Sequence, residues 1–186
     1  MKVRAIPNAI SLLRIALVVP VAATMVQGRY DLALGLFVVA GASDGLDGYL
    51  ARRFNWVTPL GALLDPIGDK LLMVTCYLVL GWLGDLPWWL VSAVILRDVV
   101  IVVGAVFYRF LIGEVVYRAL FISKLNTVLQ ILLVMITLAL LAGFRLLAPL
   151  QPLLQYLVLI TTLTSGVAYV ILWSQQATQQ YRTKPR

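Results

Sequence analysis

The sequence contains no histidine and only one cysteine, Cys76, among its 186 residues. A lone thiol excludes an internal disulfide and a zinc site built from cysteines. The missing imidazoles remove the commonest general base and the commonest metal ligand. Any acid–base or metal chemistry must therefore depend on carboxylates, lysine, tyrosine or the backbone.

Charged side chains are also scarce, since they make up 12% of the sequence while hydrophobic residues make up 62%. A soluble domain is usually about 45–50% apolar. A chain of this size leaves much of its surface exposed, so a water-soluble core cannot hide the excess. The composition predicts an integral membrane protein. The net charge of +7 is interpreted as a basic surface at anionic lipid headgroups, with no nucleic acid as partner.

Six apolar stretches are each long enough to cross a bilayer as a helix, which takes about 20 residues. The predicted spans are Asn8–Val26, Leu32–Arg52, Pro59–Leu83, Pro87–Ile112, Lys124–Ala142 and Leu153–Trp173. Their connections are short, so we expect an all-α bundle of six transmembrane helices that forms one domain over residues 1–186. The short amphipathic N-terminal segment, MKVRAIPNAISLLR, is expected to lie along the membrane surface.

Lysine and arginine are unequally distributed between the two ends of the predicted spans. Of the 15 such residues, only Arg29 and Arg145 fall at one set of span ends, and most of the others fall at the opposite set. Cytoplasmic loops carry the excess of positive charge. Both termini are therefore predicted to be cytoplasmic, and a bacterial inner membrane is the expected location.

Acidic residues are concentrated in one stretch, DGLDGYLARRFNWVTPLGALLDPIGD, which holds half of the 8 Asp and Glu residues. Asp44 and Asp47 are spaced i,i+3 near the end of the second span, and Asp65 and Asp69 are spaced i,i+4 in the third. Each pair shares one face of its helix, and both pairs lie toward the cytoplasmic side. A carboxylate at mid-membrane costs about 2.5–3.5 kcal/mol, and divalent cations would offset that cost.

Oxygen ligands without Cys or His favour Mg²⁺, Mn²⁺ or Ca²⁺. Four carboxylates are enough for two metals, an arrangement that clamps the attacking and leaving oxygens in phosphoryl transfer. Gly48 and Ala51 leave room for a flat ligand or for phosphates, and Arg52 could hold a phosphate bidentately. The alternatives are helix–helix contact for the Gly41 and Gly45 pair and a membrane-surface anchor for Arg52.

The stretch carries the pattern D-x2-D-G-x2-A-R-x8-G-x3-D-x3-D without a departure. Its fixed positions are Asp44, Asp47, Gly48, Ala51, Arg52, Gly61, Asp65 and Asp69. With this pattern the chain resembles the CDP-alcohol phosphatidyltransferase family, to which the six-span layout is also similar.

The resemblance implies a reaction, in which CDP-diacylglycerol gives its phosphatidyl group to an alcohol and CMP is released. It implies two Mg²⁺ or Mn²⁺ ions held by the four aspartates, with Asp69 also as the base that deprotonates the acceptor hydroxyl. It further implies that Asp47, Gly48, Ala51, Arg52 and Gly61 contact the cytidine diphosphate. Relatives are often homodimers, so the resemblance also implies a homodimer.

The segment IPNAISLLR is similar to the start of the phosphatidylglycerophosphate synthase and eukaryotic-type cardiolipin synthase branches. The resemblance places Asn8, and with it Arg14, at the donor site. The alternatives for Arg14 are snorkelling to the interface or pairing with an aspartate. Lys70, which follows the last aspartate of the pattern, is interpreted as a structural counter-charge.

Four cations on or after the fourth span, or at the start of the fifth, are candidates for the acceptor site: Arg97, Arg109, Arg118 and Lys124. If they converge, they favour an anionic acceptor such as glycerol 3-phosphate. Phosphatidylglycerol, the acceptor of a cardiolipin synthase, and inositol phosphate remain alternatives. Arg97 could instead pair with its neighbour Asp98, and Arg109 and Arg118 could be membrane anchors.

Two interpretations from other classes remain open. A small cation transporter would use the membrane aspartates as an ion path, although no acidic residue recurs along the other spans to form a relay. A non-catalytic bundle would only bind metal or partner helices, although the complete pattern argues against it.

Overall fold

The computed structural model describes residues 6–54, 59–111 and 120–183, with side chains described over 12–43, 67–104 and 120–175. The described residues form six α-helices and one short 3-10 helix. The α-helices are α1 (Ile6–Val26), α2 (Tyr30–Phe54), α3 (Pro59–Leu83), α4 (Trp88–Leu111), α5 (Phe121–Leu141) and α6 (Leu150–Thr183), and the 3-10 helix is Arg145–Leu147. The all-α class is confirmed.

Each predicted span corresponds to one of these helices, and the largest difference is at the C-terminal end of α6. The apolar span was predicted to end at Trp173, whereas α6 continues to Thr183. The added residues include four glutamines among ten, and glutamine favours helix even without an apolar face. At the other end of the chain, α1 begins at Ile6, so most of the predicted surface segment is continuous with the first helix.

Three of the helices, α1, α3 and α5, end in the same way, at a glycine with positive φ. Gly28, Gly84 and Gly143 have φ values of 71°, 88° and 104°. In each case the glycine N–H donates to the carbonyl three residues earlier, and the N–H of the next residue donates to the carbonyl five residues earlier. After α3, Gly84 N–H donates to the Gly81 carbonyl at 3.2 Å and Asp85 N–H donates to the Leu80 carbonyl at 2.9 Å. This pair of bonds is the Schellman motif, which satisfies the last carbonyls of a helix.

The first compact unit comprises Met1–Leu86 and Val134–Gln151. Within it α1 packs against both α2 and α3, the two helices that carry the aspartate pattern. Its buried apolar side chains include Val21, Met25, Phe37, Tyr77 and Leu80. This packing places both halves of the pattern in one unit with α1.

The second compact unit comprises Pro87–Leu133 and Pro152–Arg186. Its interior is notably polar, since it buries the following side chains: Arg97, Asn126, Gln130, Thr161, Thr162 and Ser165. Hydrogen bonds among them link α4, α5 and α6, as is common where polar residues join membrane helices.

The exterior of the described helices is apolar. Two of them, Phe121–Leu141 and the Leu150–Gln175 part of α6, are long and apolar enough to cross a membrane. Large apolar side chains face outward from every helix, among them Val19, Trp82 and Leu146, the last 92% exposed. Exposed apolar side chains in this number are typical of surfaces that face lipid, and together with the two apolar helices they indicate a membrane protein.

Candidate active site

The aspartate pattern lies on two helices. Asp44 and Asp47 are on α2, and Asp65 and Asp69 are on α3, so the i,i+3 and i,i+4 spacings are both helical and each pair lies on one face. Of these four side chains, only that of Asp69 is among those described.

Most of the other predicted site residues lie outside the described side chains. Their backbone is helical in α1 (Asn8), α2 (Gly48, Ala51, Arg52), α3 (Gly61) and α4 (Arg109). Arg118 lies outside the described residues altogether. The donor-site and acceptor-site roles of these residues stay predictions.

Asp69 is paired with Arg14 of α1. Arg14 Nη1 donates to Asp69 Oδ1 at 2.6 Å, which is short even for a charge-assisted hydrogen bond. The exposures are unequal: Arg14 is 1% exposed, whereas the Asp69 side chain is 47% exposed. Of the alternatives considered for Arg14, the structure therefore shows pairing with an aspartate.

The burial of Arg14 has an energetic consequence. It heads the largest fully buried side chains, and an isolated cation taken out of water costs several kcal/mol. The carboxylate of Asp69 offsets that cost while itself remaining half-exposed. A half-exposed carboxylate can still reach a ligand, so the pair combines a fixed cation with an accessible anion.

The donor set that the sequence predicts suits a hard divalent cation in its chemistry. Among the described side chains, no group of three or more His, Cys, Asp or Glu residues is assembled as a metal site; three of the four predicted ligands lie outside that part. The predicted donors offer only carboxylate oxygens, which suit Mg²⁺ and Mn²⁺. The half-exposed carboxylate of Asp69 is consistent with such a ligand.

Arg97 is the best-described of the four acceptor-site candidates. It is 9% exposed and donates to Asp98 Oδ1 at 2.7 Å, to Ser123 Oγ at 2.6 Å and to Ser165 Oγ at 2.6 Å. The predicted pairing with Asp98 is thus present. The same guanidinium also joins α4 to α5 and α6 within the second unit.

Lys124 follows Ser123 in the first turn of α5 and is exposed. The hydrogen bond from Arg97 to Ser123 therefore holds the guanidinium of Arg97 against the same turn of α5 that carries Lys124. Lys70 of α3 is likewise exposed, next to Asp69, and its role as a counter-charge stays a prediction.

A hydrogen-bonded cluster around Asn126 was not predicted. Thr161 and Thr162 donate to Asn126 Oδ1 at 2.8 and 2.9 Å, and Asn126 is fully buried. The sequence carried a signal for it, because Ser123, Asn126 and Gln130 recur at helical spacing inside an apolar span. Such a stripe predicts interhelical hydrogen bonds.

Comparison with known proteins identifies relatives over most of the chain. The profile of the CDP-alcohol phosphatidyltransferase family matches residues 4–178. The chain is 35% identical over 157 residues to human cardiolipin synthase (CMP-forming), covering 72% of this chain and 50% of the relative. It is 40% identical over 99 residues to a putative cardiolipin synthase of Mycobacterium tuberculosis, covering 52% of this chain and 47% of the relative.

A plant relative is named for a different acceptor. The chain is 33% identical over an alignment of 199 residues to the chloroplastic CDP-diacylglycerol–glycerol-3-phosphate 3-phosphatidyltransferase 1 of Oryza sativa, covering 91% of this chain and 57% of the relative. The chain spans about half the length of the curated relatives it matches.

Proposed function

Because this chain belongs to the CDP-alcohol phosphatidyltransferase family, we propose that it transfers a phosphatidyl group from CDP-diacylglycerol to an alcohol, with release of CMP. The observation that supports this most strongly is the complete aspartate pattern on α2 and α3, in one unit with α1. Both helices contribute carboxylates. Because they belong to a membrane protein, the diphosphate of a membrane lipid can reach these carboxylates.

The proposed chemistry is a substitution at phosphorus. The acceptor oxygen forms a bond to the phosphorus that carries diacylglycerol, the bond from that phosphorus to CMP breaks, and the acceptor proton passes to the Asp69 carboxylate. A positioned carboxylate acting as base typically contributes about 10²–10⁴-fold to the rate. The sequence has no histidine, so a carboxylate is the natural proton acceptor.

The aspartates Asp44, Asp47, Asp65 and Asp69 would hold two Mg²⁺ or Mn²⁺ ions. When bound, these ions would neutralise charge on the diphosphate and hold the reacting oxygens. In the same proposal, the cytidine diphosphate contacts the following residues: Asn8, Asp47, Gly48, Ala51, Arg52 and Gly61.

Glycerol 3-phosphate is the proposed acceptor, with phosphatidylglycerophosphate as the product. The rice relative, whose name includes glycerol 3-phosphate, is matched over 91% of this chain. The proposed acceptor cations are Arg97, Arg109, Arg118 and Lys124. Arg97 is held in place by Asp98, Ser123 and Ser165, which suits a cation that must stay oriented.

A second candidate is cardiolipin synthesis with phosphatidylglycerol as acceptor. It is favoured by the human and mycobacterial relatives, which are named cardiolipin synthases. Both candidates use the same donor and release the same CMP, so they differ only in the acceptor.

The proposed setting is a bacterial inner membrane, with six membrane spans in one domain, cytoplasmic termini and a cytoplasmic active site. The apolar exterior of the helices and the skewed distribution of Lys and Arg support this topology. A homodimer is proposed by analogy with the family.

The test is an acceptor panel. Purified full-length protein receives CDP-diacylglycerol, Mn²⁺ and one of glycerol 3-phosphate, phosphatidylglycerol, inositol phosphate or serine, and the lipid products are identified by mass spectrometry. We expect phosphatidylglycerophosphate with glycerol 3-phosphate. If a lipid product forms only with phosphatidylglycerol, cardiolipin synthesis replaces phosphatidylglycerophosphate synthesis as the proposed function. Ion flux into proteoliposomes without CMP release would favour a transporter. The absence of both ion flux and CMP release would favour an inert bundle.

A further inference from the structure

We infer that Arg14 is a positioning residue that orients the Asp69 carboxylate for the proposed reaction. The inference rests on the proposed function, since it assigns Asp69 the role given there. It goes beyond the aspartate pattern, because Arg14 lies outside that pattern and on a different helix.

The geometry makes Arg14 the fixed partner of the pair. Its side chain is 1% exposed, against 47% for Asp69, so the protein confines the guanidinium far more than the carboxylate. Guanidinium is planar and rigid, and its N–H groups have fixed directions. A bond of 2.6 Å from Nη1 to Oδ1 therefore limits how the carboxylate plane can turn.

The position of Arg14 on α1 supports the same role. Arg14, Val21 and Met25 are spaced i, i+7 and i+11 and are all buried, so they share the inward face of α1. Helix α1 packs against both helices of the aspartate pattern. A cation on this face is thus held by packing that is independent of the substrate.

Oδ1 is also an oxygen that a divalent ion could bind. A guanidinium on Oδ1 competes with such an ion for that oxygen and repels its charge. Loss of Arg14 should therefore tighten metal binding while slowing turnover, because Asp69 is no longer held in its orientation. A residue that serves only stability would weaken metal binding and thermal stability together.

The experiment uses purified full-length protein and the variants Arg14→Met and Arg14→Lys. The matched control is Arg29→Met, which removes an exposed arginine in the connection between α1 and α2. Mn²⁺ binding is measured by electron paramagnetic resonance without substrate, and kcat and KM for CDP-diacylglycerol are measured by CMP release. Tm is recorded for every variant.

For Arg14→Met we expect severalfold tighter Mn²⁺ binding, a KM close to wild type, and a kcat lowered by about 100-fold, a loss that a misplacement of about 1 Å can cause. Arg14→Lys should recover part of the kcat, because an ammonium can pair with Oδ1 but cannot fix the carboxylate plane. Arg29→Met should match wild type.

A double-mutant comparison separates positioning from the other roles. Adding Arg14→Met to Asp69→Asn should lower kcat no further, because Arg14 acts through Asp69. A further loss, a raised KM for the CDP-lipid, or weaker Mn²⁺ binding would overturn the inference. Wild-type protein that releases no CMP would overturn the proposed function and the positioning role with it. A normal wild-type turnover with any of the other contrary results would overturn the positioning role alone.

Discussion

At the scale of single residues, Asp69 is the side chain on which the proposed chemistry depends most. Asp69→Asn keeps the size and one carbonyl oxygen that Arg14 can still bind, but it cannot take a proton. We expect kcat to fall by about 10²–10⁴-fold, with CDP-diacylglycerol binding nearly unchanged. The measurement is CMP release under saturating acceptor, with the exposed α2 residue Asp31 changed to Asn as control. Near-normal turnover in Asp69→Asn would refute its role as base.

A second residue-scale prediction concerns Asp85, in the connection between α3 and α4. Its Oδ2 is buried without a hydrogen-bond partner in the part of the chain that is described, and burial raises the pKa of the carboxyl above its ordinary value of 3.8. Between pH 3.8 and the raised pKa, the folded state binds the proton more tightly than the unfolded state. Stability contributed by this group is therefore lost as pH rises through that window.

Replacing Asp85 by Asn should remove this effect. At pH 7 the Tm of Asp85→Asn in detergent should exceed that of wild type, because no charge is left to bury. As the pH is lowered toward 3.8, the difference should shrink. A difference that stays constant with pH, or a variant that is less stable at pH 7, would contradict this account.

The chemistry of the key residues was readable from the sequence, but their partners were not. The spacing of the four aspartates and the absence of histidine pointed to carboxylate chemistry. For Arg14, snorkelling, donor binding and pairing all remained open, because its partner lies 55 residues away. Periodicity relates residues within one helix and carries no information about which helix packs against it.

At the scale of helices and turns, the Schellman endings make Gly84 a sensitive position. Its φ of 88° disfavours any residue with a Cβ, although a Cβ there would meet nothing within 4 Å. Gly84→Ala should destabilise the protein by about 1–2 kcal/mol, the cost of a left-handed residue, as measured by chemical or thermal unfolding.

The control for this prediction is Gly35→Ala, within α2. Its Cβ would also meet nothing within 4 Å, but its backbone is helical, so alanine should be neutral or stabilising by about 0.5–1 kcal/mol. Equal effects at the two positions would show that φ is not the cause.

A close approach between α4 and α6 gives another element-scale prediction. A Cβ on Gly104 would overlap the indole ring of Trp173, whereas one on Gly166 would make only an ordinary contact with Arg97 Cγ at 3.7 Å. Gly104→Ala should therefore cost about 1–3 kcal/mol, as overpacking does, and Gly166→Ala should cost much less. Adding Trp173→Leu should recover stability in Gly104→Ala; no recovery would contradict the overlap.

The helices themselves were largely predictable because apolar runs of membrane length are a strong signal. The sixth apolar span was predicted to end at Trp173, and the helix itself continues about three turns beyond it, to Thr183. A criterion based on apolar runs stops where the apolar residues stop, whereas the backbone continues as helix through the glutamine-rich residues that follow. The polar stripe of α5 was visible in the sequence. Only the structure shows that Asn126 in this stripe accepts hydrogen bonds from α6.

At the scale of the whole molecule, the proposed topology can be tested with cysteines, since the chain has only Cys76, which is buried. In a Cys76→Ala background, Gln27→Cys and Leu146→Cys should react with a membrane-impermeant maleimide in intact cells. Phe121→Cys, which is exposed at the start of α5, should react only after the membrane is disrupted. The reverse pattern would contradict cytoplasmic termini.

The central claim is that carboxylates on α2 and α3 support metal-dependent release of CMP from a lipid donor. Its most direct test is CMP release by purified protein with CDP-diacylglycerol and glycerol 3-phosphate, before and after EDTA treatment. The account predicts CMP and lipid product in equal amounts, loss of both in EDTA, and recovery of both on adding excess Mn²⁺. CMP release that persists after thorough chelation would contradict it.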